Sequence, residues 1–375
     1  MASALFDPLF GADRVAARLD DASWVAALVA VEVTLAHAAA EHGVIPAGHA
    51  EAIALAAAKL DVDVAELGRA AVEGGNPVIP LVRLLRSAVG PEAGPSVHPG
   101  ATSQDVMDTA AALLVGWAGE VLLDDLRGAA DAAARLAVVH RDTAMIARTL
   151  GQQALPTTFG LVAAGWCTGL DRARTGLARV LATLPVQLGG AAGTLAALHP
   201  HGPAVAASLA RDLRLADVAP WHTERTRVGE LAGVLAVAAG ACAKPATDIV
   251  LLAGTELGEV SEAAPGDSSS MPHKRNPIAA VTARASARRA PGLAAVLLGA
   301  ADHEHQRAAG PWHAEWQTLD DLLRATGGAA ARLRMSLEGL GVHPDRMAAN
   351  LALSCADTSA GHAGELVDRL LSERP

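Results

Sequence analysis

The sequence predicts an all-α protein, with an elongated central bundle of long helices, a smaller N-terminal helical domain and a short, reduced C-terminal helical region. Three observations lead there. Hydrophobic residues make up 51% of the 375 residues but aromatics only 2%, with no Tyr. A core of Ala, Leu and Val suits closely spaced helices, and Ala and Leu are strong helix formers. Residues 100–155 hold no Pro, and from near Val106 the apolar residues Leu113, Leu114, Trp117, Val121, Leu122, Leu126 and Leu136 recur at helical spacing as far as Val139. Residues 156–184, 225–262 and 277–308 read as further helices, each apolar on more than one face.

The elements follow in order. Residues 1–95 form the N-terminal helical domain, closed by the Pro/Gly-rich stretch 90–95. Residues 96–326 form the central bundle. Its first helix, over about 105–142, is roughly 55 Å long at 1.5 Å per residue, a length that fits a long bundle. Residues 327–375 form a short tail broken by Gly339, Gly341 and Pro344. No strand-period segment and no fixed-length repeat stands out. Helices that are apolar nearly all round need cover beyond one chain, so a homo-oligomer is expected.

Composition narrows the function. A net charge of -10 is a poor match for nucleic acid, whose phosphates need a basic surface. Cys167, Cys242 and Cys355 lie far apart with no CxxC spacing, so neither a zinc ribbon nor a redox pair is expected, and no metal or cofactor is called for. Buried free thiols suit a reducing cytoplasm. The N-terminus lacks a basic segment followed by an apolar run. The longest charge-free apolar stretch, 231–243, is too short for a bilayer, which needs roughly 20 residues. The expectation is a soluble, cytoplasmic protein with no membrane partner.

Chemistry concentrates in four segments. Residues 266–277 read Gly-Asp-Ser-Ser-Ser-Met-Pro-His-Lys-Arg-Asn-Pro. Asn276 before Pro277 has the form of an N-cap with Pro at the first helical position. Orphan N–H groups and the positive dipole end would then stand beside Lys274, where an anion could sit. The plain alternative is a Ser-rich loop and an ordinary cap. Residues 98–105 read His-Pro-Gly-Ala-Thr-Ser-Gln-Asp, with Ser103 placed to cap the long helix. Residues 148–158 read Arg-Thr-Leu-Gly-Gln-Gln-Ala-Leu-Pro-Thr-Thr, and residues 221–227 read Trp-His-Thr-Glu-Arg-Thr-Arg. Arg225 or Arg227 could grip a carboxylate bidentately or form a helix-start salt bridge. Residues 302–305, Asp-His-Glu-His, place two His two apart, the wrong spacing for a helical metal site; a solvated polar turn is expected.

The run Ser-Ser-x-Met-Pro-x-Lys-x-Asn-Pro resembles the signature of the fumarase/aspartase superfamily at every fixed position. It departs at Asp267, where that superfamily usually has Gly. The resemblance covers roughly residues 5–325. It implies that Ser268 is the catalytic base and that Lys274 and Asn276 hold substrate carboxylate, with Met271 as a further substrate-binding residue. It places Thr102, Ser103, Gln104, Thr149 and Gln152 on substrate carboxylates, and His98 as a general acid or carboxylate ligand.

Leu150 stands where fumarases, argininosuccinate lyases and adenylosuccinate lyases carry His, and the branch resembling 3-carboxy-cis,cis-muconate cycloisomerase lacks that His too. Residues 7–11, 75–80 (with Asn76), 189–194, 221–227 and 312–316 also look like this branch, although Thr226 replaces an Asp. The resemblance implies interconversion of a small polycarboxylate, 3-carboxy-cis,cis-muconate, with 4-carboxymuconolactone in protocatechuate breakdown, the beta-ketoadipate pathway. It also implies a homotetramer whose sites are shared by three chains, and a reduced or missing third domain. Alternatives are a lyase of the same scaffold releasing fumarate from a substituted succinate, such as nitrosuccinate or adenylosuccinate, and a non-catalytic structural protein on this fold.

Overall fold

A computed structural model describes residues 5–354 and 359–375; Cys355 lies outside them. The chain begins with two single-turn helices, α1 (Asp7–Phe10) and α2 (Asp13–Ala16). The N-terminal layer follows: α3 (Asp21–Glu41), α4 (Ala47–Ala57), α5 (Val64–Gly74) and α6 (Val78–Val89). Next come α7 (Ser103–Val139), the strands β1 (Ala144–Thr149) and β2 (Gln152–Thr158), then α8 (Phe159–Leu181), α9 (Gly202–Leu213) and α10 (Thr226–Leu252). The chain continues through β3 (Val260–Glu262), α11 (Ile278–Gly299), α12 (Pro311–Glu338), β4 (Leu340–Val342), α13 (Pro344–Ala352) and α14 (Ala363–Ser372).

The all-α expectation holds, and α7, α8, α10, α11 and α12 make the bundle. Cross-contacts fix the direction of each. At the start of α7, Asp108 takes Arg225 from the start of α10 and the indole of Trp312 from the start of α12. Further along α7, Arg334 near the end of α12 reaches Asp124 and Asp125. These three helices therefore run the same way. Helix α8 returns antiparallel: its start lies against the end of α7, where the Gly160 N–H donates to the His140 carbonyl. Helix α11 also returns, since Gly229 in early α10 touches Leu298 in late α11.

The close fit comes from small residues. Ala110, Ala118, Ala129, Ala130, Ala133 and Ala137 line α7 with no exposed surface. Gly119 takes Leu181 of α8 against its bare Cα; a Cβ there would stand 2.5 Å from the leucine Cδ1. Gly160 is tighter, because an added Cβ would stand 2.6 Å from Arg141 Cα and 2.7 Å from the His140 carbonyl oxygen. Backbone does not move aside cheaply. Gly160→Ala is therefore expected to cost about 1–3 kcal/mol, read as a lowered melting temperature; an unchanged melt would contradict this packing. A smaller core joins α9 to α3 through Leu35, Val186, Leu198, Val205 and Leu209.

Several expectations need correction. Strands exist. β1 and β2 form an antiparallel hairpin, and β3 pairs antiparallel with β4. The hairpin turn, Leu150-Gly151, has positive φ at both residues (51° and 78°), the two-residue geometry that Asn-Gly usually signals. Leu in its first position hides it. The helix expected over 225–262 ends at Leu252 and gives way to β3, while that over 277–308 ends at Gly299. Helix α12 runs unbroken through residue 326, and the chain changes character at Glu338. By length and composition, the segment Asp13–Glu41, α7 and α10 would each suffice to cross a bilayer, so the length argument from residues 231–243 does not hold. Helix α7 uses its apolar length to pack, and buries Asp105, Asp108 and Asp125 with it.

Candidate active site

The 98–105 segment leads into α7. Thr102, not Ser103, is the N-cap, and it forms a capping box with Asp105. Asp105 also ties down the neighbouring loop: it accepts from Gln187 Nε2 (3.0 Å), Gly189 N (3.0 Å) and Gly190 N (2.8 Å) as well as Thr102 N (3.0 Å). Ser103 becomes the first helical residue, and its hydroxyl has no hydrogen-bond partner among the described residues. His98, with φ 63°, turns its ring to α3, where Nδ1 lies 2.7 Å from Glu32 Oε1. Burial of the ring opposes its charge, but the hydrogen bond and charge of Glu32, with Asp105 behind, leave its pKa raised.

Gln104 and Arg225 turn inward, against the expectation that they face substrate. Gln104 is 1% exposed; its amide donates to the His222 carbonyl (2.7 Å) and Asp108 (3.2 Å), and its oxygen accepts from Arg307 (2.7 Å). Arg225 is buried between Asp108 (2.7 Å) and Glu315 (Nε, 3.0 Å) and lies 4.7 Å over the Trp221 ring. Both groups are fully committed to protein partners, so neither is free for a ligand. Asn76 is likewise committed: its Oδ1 accepts from Val78 N at 3.1 Å and holds the start of α6. His303 of the Asp-His-Glu-His run is no solvated turn residue. Its side chain is fully buried, 3.3 Å from Glu315. Among the described residues no cluster of His, Cys, Asp or Glu is arranged to hold a metal ion.

Residues 266–277 form a closed loop. Gly266 N donates to the Asn276 carbonyl (2.8 Å) and Asn276 N to that of Gly266 (3.0 Å), making a neck. The Asn276 side chain donates across the neck to Gly266 O (3.2 Å), so it does not cap α11. The first N–H groups of α11 are also taken. Ala279 N and Ala280 N donate to the buried carboxylate of Glu262 at 3.1 and 2.8 Å, and Ser336 donates to it at 2.6 Å. The helix start thus anchors the loop and offers no donors to a substrate, contrary to the expectation. The donors lie inside the loop instead. Ser268 Oγ accepts from Met271 N (3.2 Å) and Ser270 N (3.4 Å). Lys274 and Met271 are exposed, and Asp267 pairs with Arg275 at the surface (3.2 Å).

Thr149 and Gln152 flank the hairpin turn, both exposed, with Leu150 fully exposed between them. The hairpin is anchored by Arg148, which grips the buried Glu259 bidentately (2.7 and 2.9 Å); Asn350 donates to the same carboxylate (2.8 Å). The fold thus sorts the motifs to two ends. His98, Thr102 and Ser103 stand at the start of α7, a helix of 37 residues and therefore about 55 Å. The hairpin follows the end of α7, and the Ser268 loop follows β3 at that same end.

Sequence reasoning missed the carboxylates that organise these segments, Glu32, Asp108, Glu259 and Glu262. Glu32 and Asp108 lie inside helices, Glu259 just before β3 and Glu262 at its end, and no recognisable motif around them marks them. Glu315 and its neighbours were legible only as part of a resemblance.

A closed Ser-Ser-x-Met-Pro-x-Lys-x-Asn-Pro loop on a long-helix bundle defines an enzyme of the lyase class, and comparison with known proteins agrees. The profile of a family described as lyase matches residues 5–292, and the chain belongs to that family, within the fumarase/aspartase superfamily. The family is enzymatic and processes small molecules. The chain is 46% identical to a 3-carboxy-cis,cis-muconate cycloisomerase of Bradyrhizobium diazoefficiens over 93% of its own length and 79% of that protein's. It is 44% identical to a nitrosuccinate lyase of Streptomyces davaonensis, over 94% and 77%. The crystal structure of the 3-carboxy-cis,cis-muconate lactonizing enzyme of Pseudomonas putida superposes with a TM-score of 0.89 at 40% identity, over 94% of this chain and 80% of that one.

Proposed function

We propose that this protein is a soluble, cytoplasmic cycloisomerase that interconverts 3-carboxy-cis,cis-muconate and 4-carboxymuconolactone. The observation that carries the reading is the Ser268 loop together with Leu150. Proton removal next to a carboxylate builds an enediolate, whose extra charge needs preorganised donors and cations. Ser is a weak base at its free pKa. Here Ser270 N and Met271 N already point at Ser268 Oγ, which favours its alkoxide, and Lys274, six residues on in the same loop, is assigned as the source of positive charge.

Leu150 then selects the leaving group. An amine must be protonated as it departs, which calls for a general acid such as His. A carboxylate leaves as a stable anion and needs none, so Leu is tolerated at the hairpin tip. Thr149, Gln152, Asn276, Met271, Thr102 and Ser103 are assigned to the substrate. Because one chain carries these groups at opposite ends of its bundle, the reading includes a homotetramer in which the start of α7 from one chain meets the hairpin and Ser268 loop of others.

Nitrite also leaves as a stable anion, and the 44% identical nitrosuccinate lyase supports that second reading. Purified protein is expected to bleach the diene absorbance of 3-carboxy-cis,cis-muconate in the ultraviolet and to release no nitrite from nitrosuccinate. Nitrite release without loss of the diene would replace the first reading by the second.

A further inference from the structure

At the α7 end, two of the described arginines are taken up by protein groups. Arg225 is enclosed by Asp108 and Glu315, and Arg307 is spent on Gln104 and on the Gly190 and Ala191 carbonyls. Lys274 stands at the other end of the bundle. Yet a substrate with several carboxylates needs positive charge wherever a carboxylate is held away from water.

Arg86 of α6 carries charge nearby, with Nη2 on the Val97 carbonyl (3.2 Å), and His98 is the group of the motif itself that can carry charge. Its left-handed backbone (φ 63°) directs the ring onto α3. Glu32, 1% exposed among the apolar residues of α3, meets Nδ1 at 2.7 Å. The other oxygen of Glu32, Oε2, is buried with no hydrogen-bond partner among the described residues. A carboxylate so far from water is costly unless a positive partner faces it, and the His98 ring is the one in hydrogen-bond contact. The ring's Nε2 has no hydrogen-bond partner among the described residues, and the side chain keeps 15% of its surface open.

We propose that Glu32 is a positioning residue for His98. It holds Nδ1–H inward and supplies the counter-charge, so that Nε2–H of an imidazolium is presented to a substrate carboxylate. This rests on the reading of residues 98–105 as substrate-facing. The charged groups around the ring are Glu32 on α3 and Asp105 on α7, which favour the proton, and Arg86 on α6, which opposes it together with burial.

The test compares wild type, Glu32→Gln and His98→Gln in two ways. The first is a titration of 13Cε1-labelled histidine by NMR, with the His98 signal identified by its absence in His98→Gln. The ring is expected to titrate above the ordinary value of about 6.5 in wild type and to fall by about one unit or more in Glu32→Gln, as loss of a close opposite charge requires. The second is the pH profile of kcat/KM. Its alkaline limb is expected to move to lower pH in Glu32→Gln, mostly through KM, and to vanish in His98→Gln. A lowered melting temperature with an unmoved titration would make Glu32 merely structural and overturn the proposal. So would a moved titration with an unmoved limb. The titration needs no turnover. If wild type ignored the muconate, the substrate reading alone would fail, and the titration would still support or overturn the pair.

Discussion

Ser268→Ala is expected to lower kcat by a factor of about 10²–10⁴, the range a positioned proton-transfer group supplies. The loop should survive the change. Its neck is made by Gly266 and Asn276 backbone groups and its anchor by Glu262, none of which involves the Ser268 hydroxyl. Melting temperature is therefore expected to stay near that of wild type while turnover collapses. The defect should also appear as lost exchange of the proton next to the carboxylate in deuterated water, measured on product at equilibrium. Undiminished exchange would remove Ser268 from the role of base.

Arg225→Met is expected to give the largest stability loss, about 3–5 kcal/mol, because removing one member of a buried ion cluster leaves the others unpaired. Asp108 and Glu315 are 5% and 4% exposed, and Trp221 would lose the guanidinium over its ring. The loss should depend on pH with a definite sign. Burial raises the Glu315 pKa even with Arg225 present. Without Arg225 the folded state takes up a proton more readily than the unfolded chain, so the deficit should be largest above the carboxylate range and shrink on acidification. Arg227→Met, two residues on and exposed, should change stability by no more than about 0.5 kcal/mol. Equal melting of the two variants would contradict the buried cluster.

Arg225 also shows where sequence reading stops. From the chain alone it looks like a carboxylate ligand, because Arg is suited to that task and sits at a helix start. Its partners lie 117 and 90 residues away, and only the bundle brings them together. Gln104 is the same case, consumed by Asp108 of its own helix and by groups from two distant segments. The bundle was more legible, since a Pro-free stretch with apolar residues at helical spacing leaves little choice but a long helix. The hairpin was not, because a Leu-Gly turn replaces the usual Asn-Gly and the strands lack clean alternation. The Ser268 loop was legible as a string, while the source of its donors was not. A sequence reading supplies a helix start after Asn276, and the fold gives those N–H groups to Glu262.

The central claim is that one chain carries the two halves of a carboxylate-handling site at opposite ends of its bundle, and that assembly joins halves from different chains. Co-expression of Ser268→Ala with a Thr102→Ala/Ser103→Ala double variant tests it directly, with the mixed oligomer isolated by two affinity tags. Each variant alone is expected to be inactive. The mixed oligomer is expected to regain turnover of 3-carboxy-cis,cis-muconate, because some sites then draw an intact α7 start from one chain and an intact Ser268 loop from another. A mixed oligomer as inactive as its parents would contradict the claim.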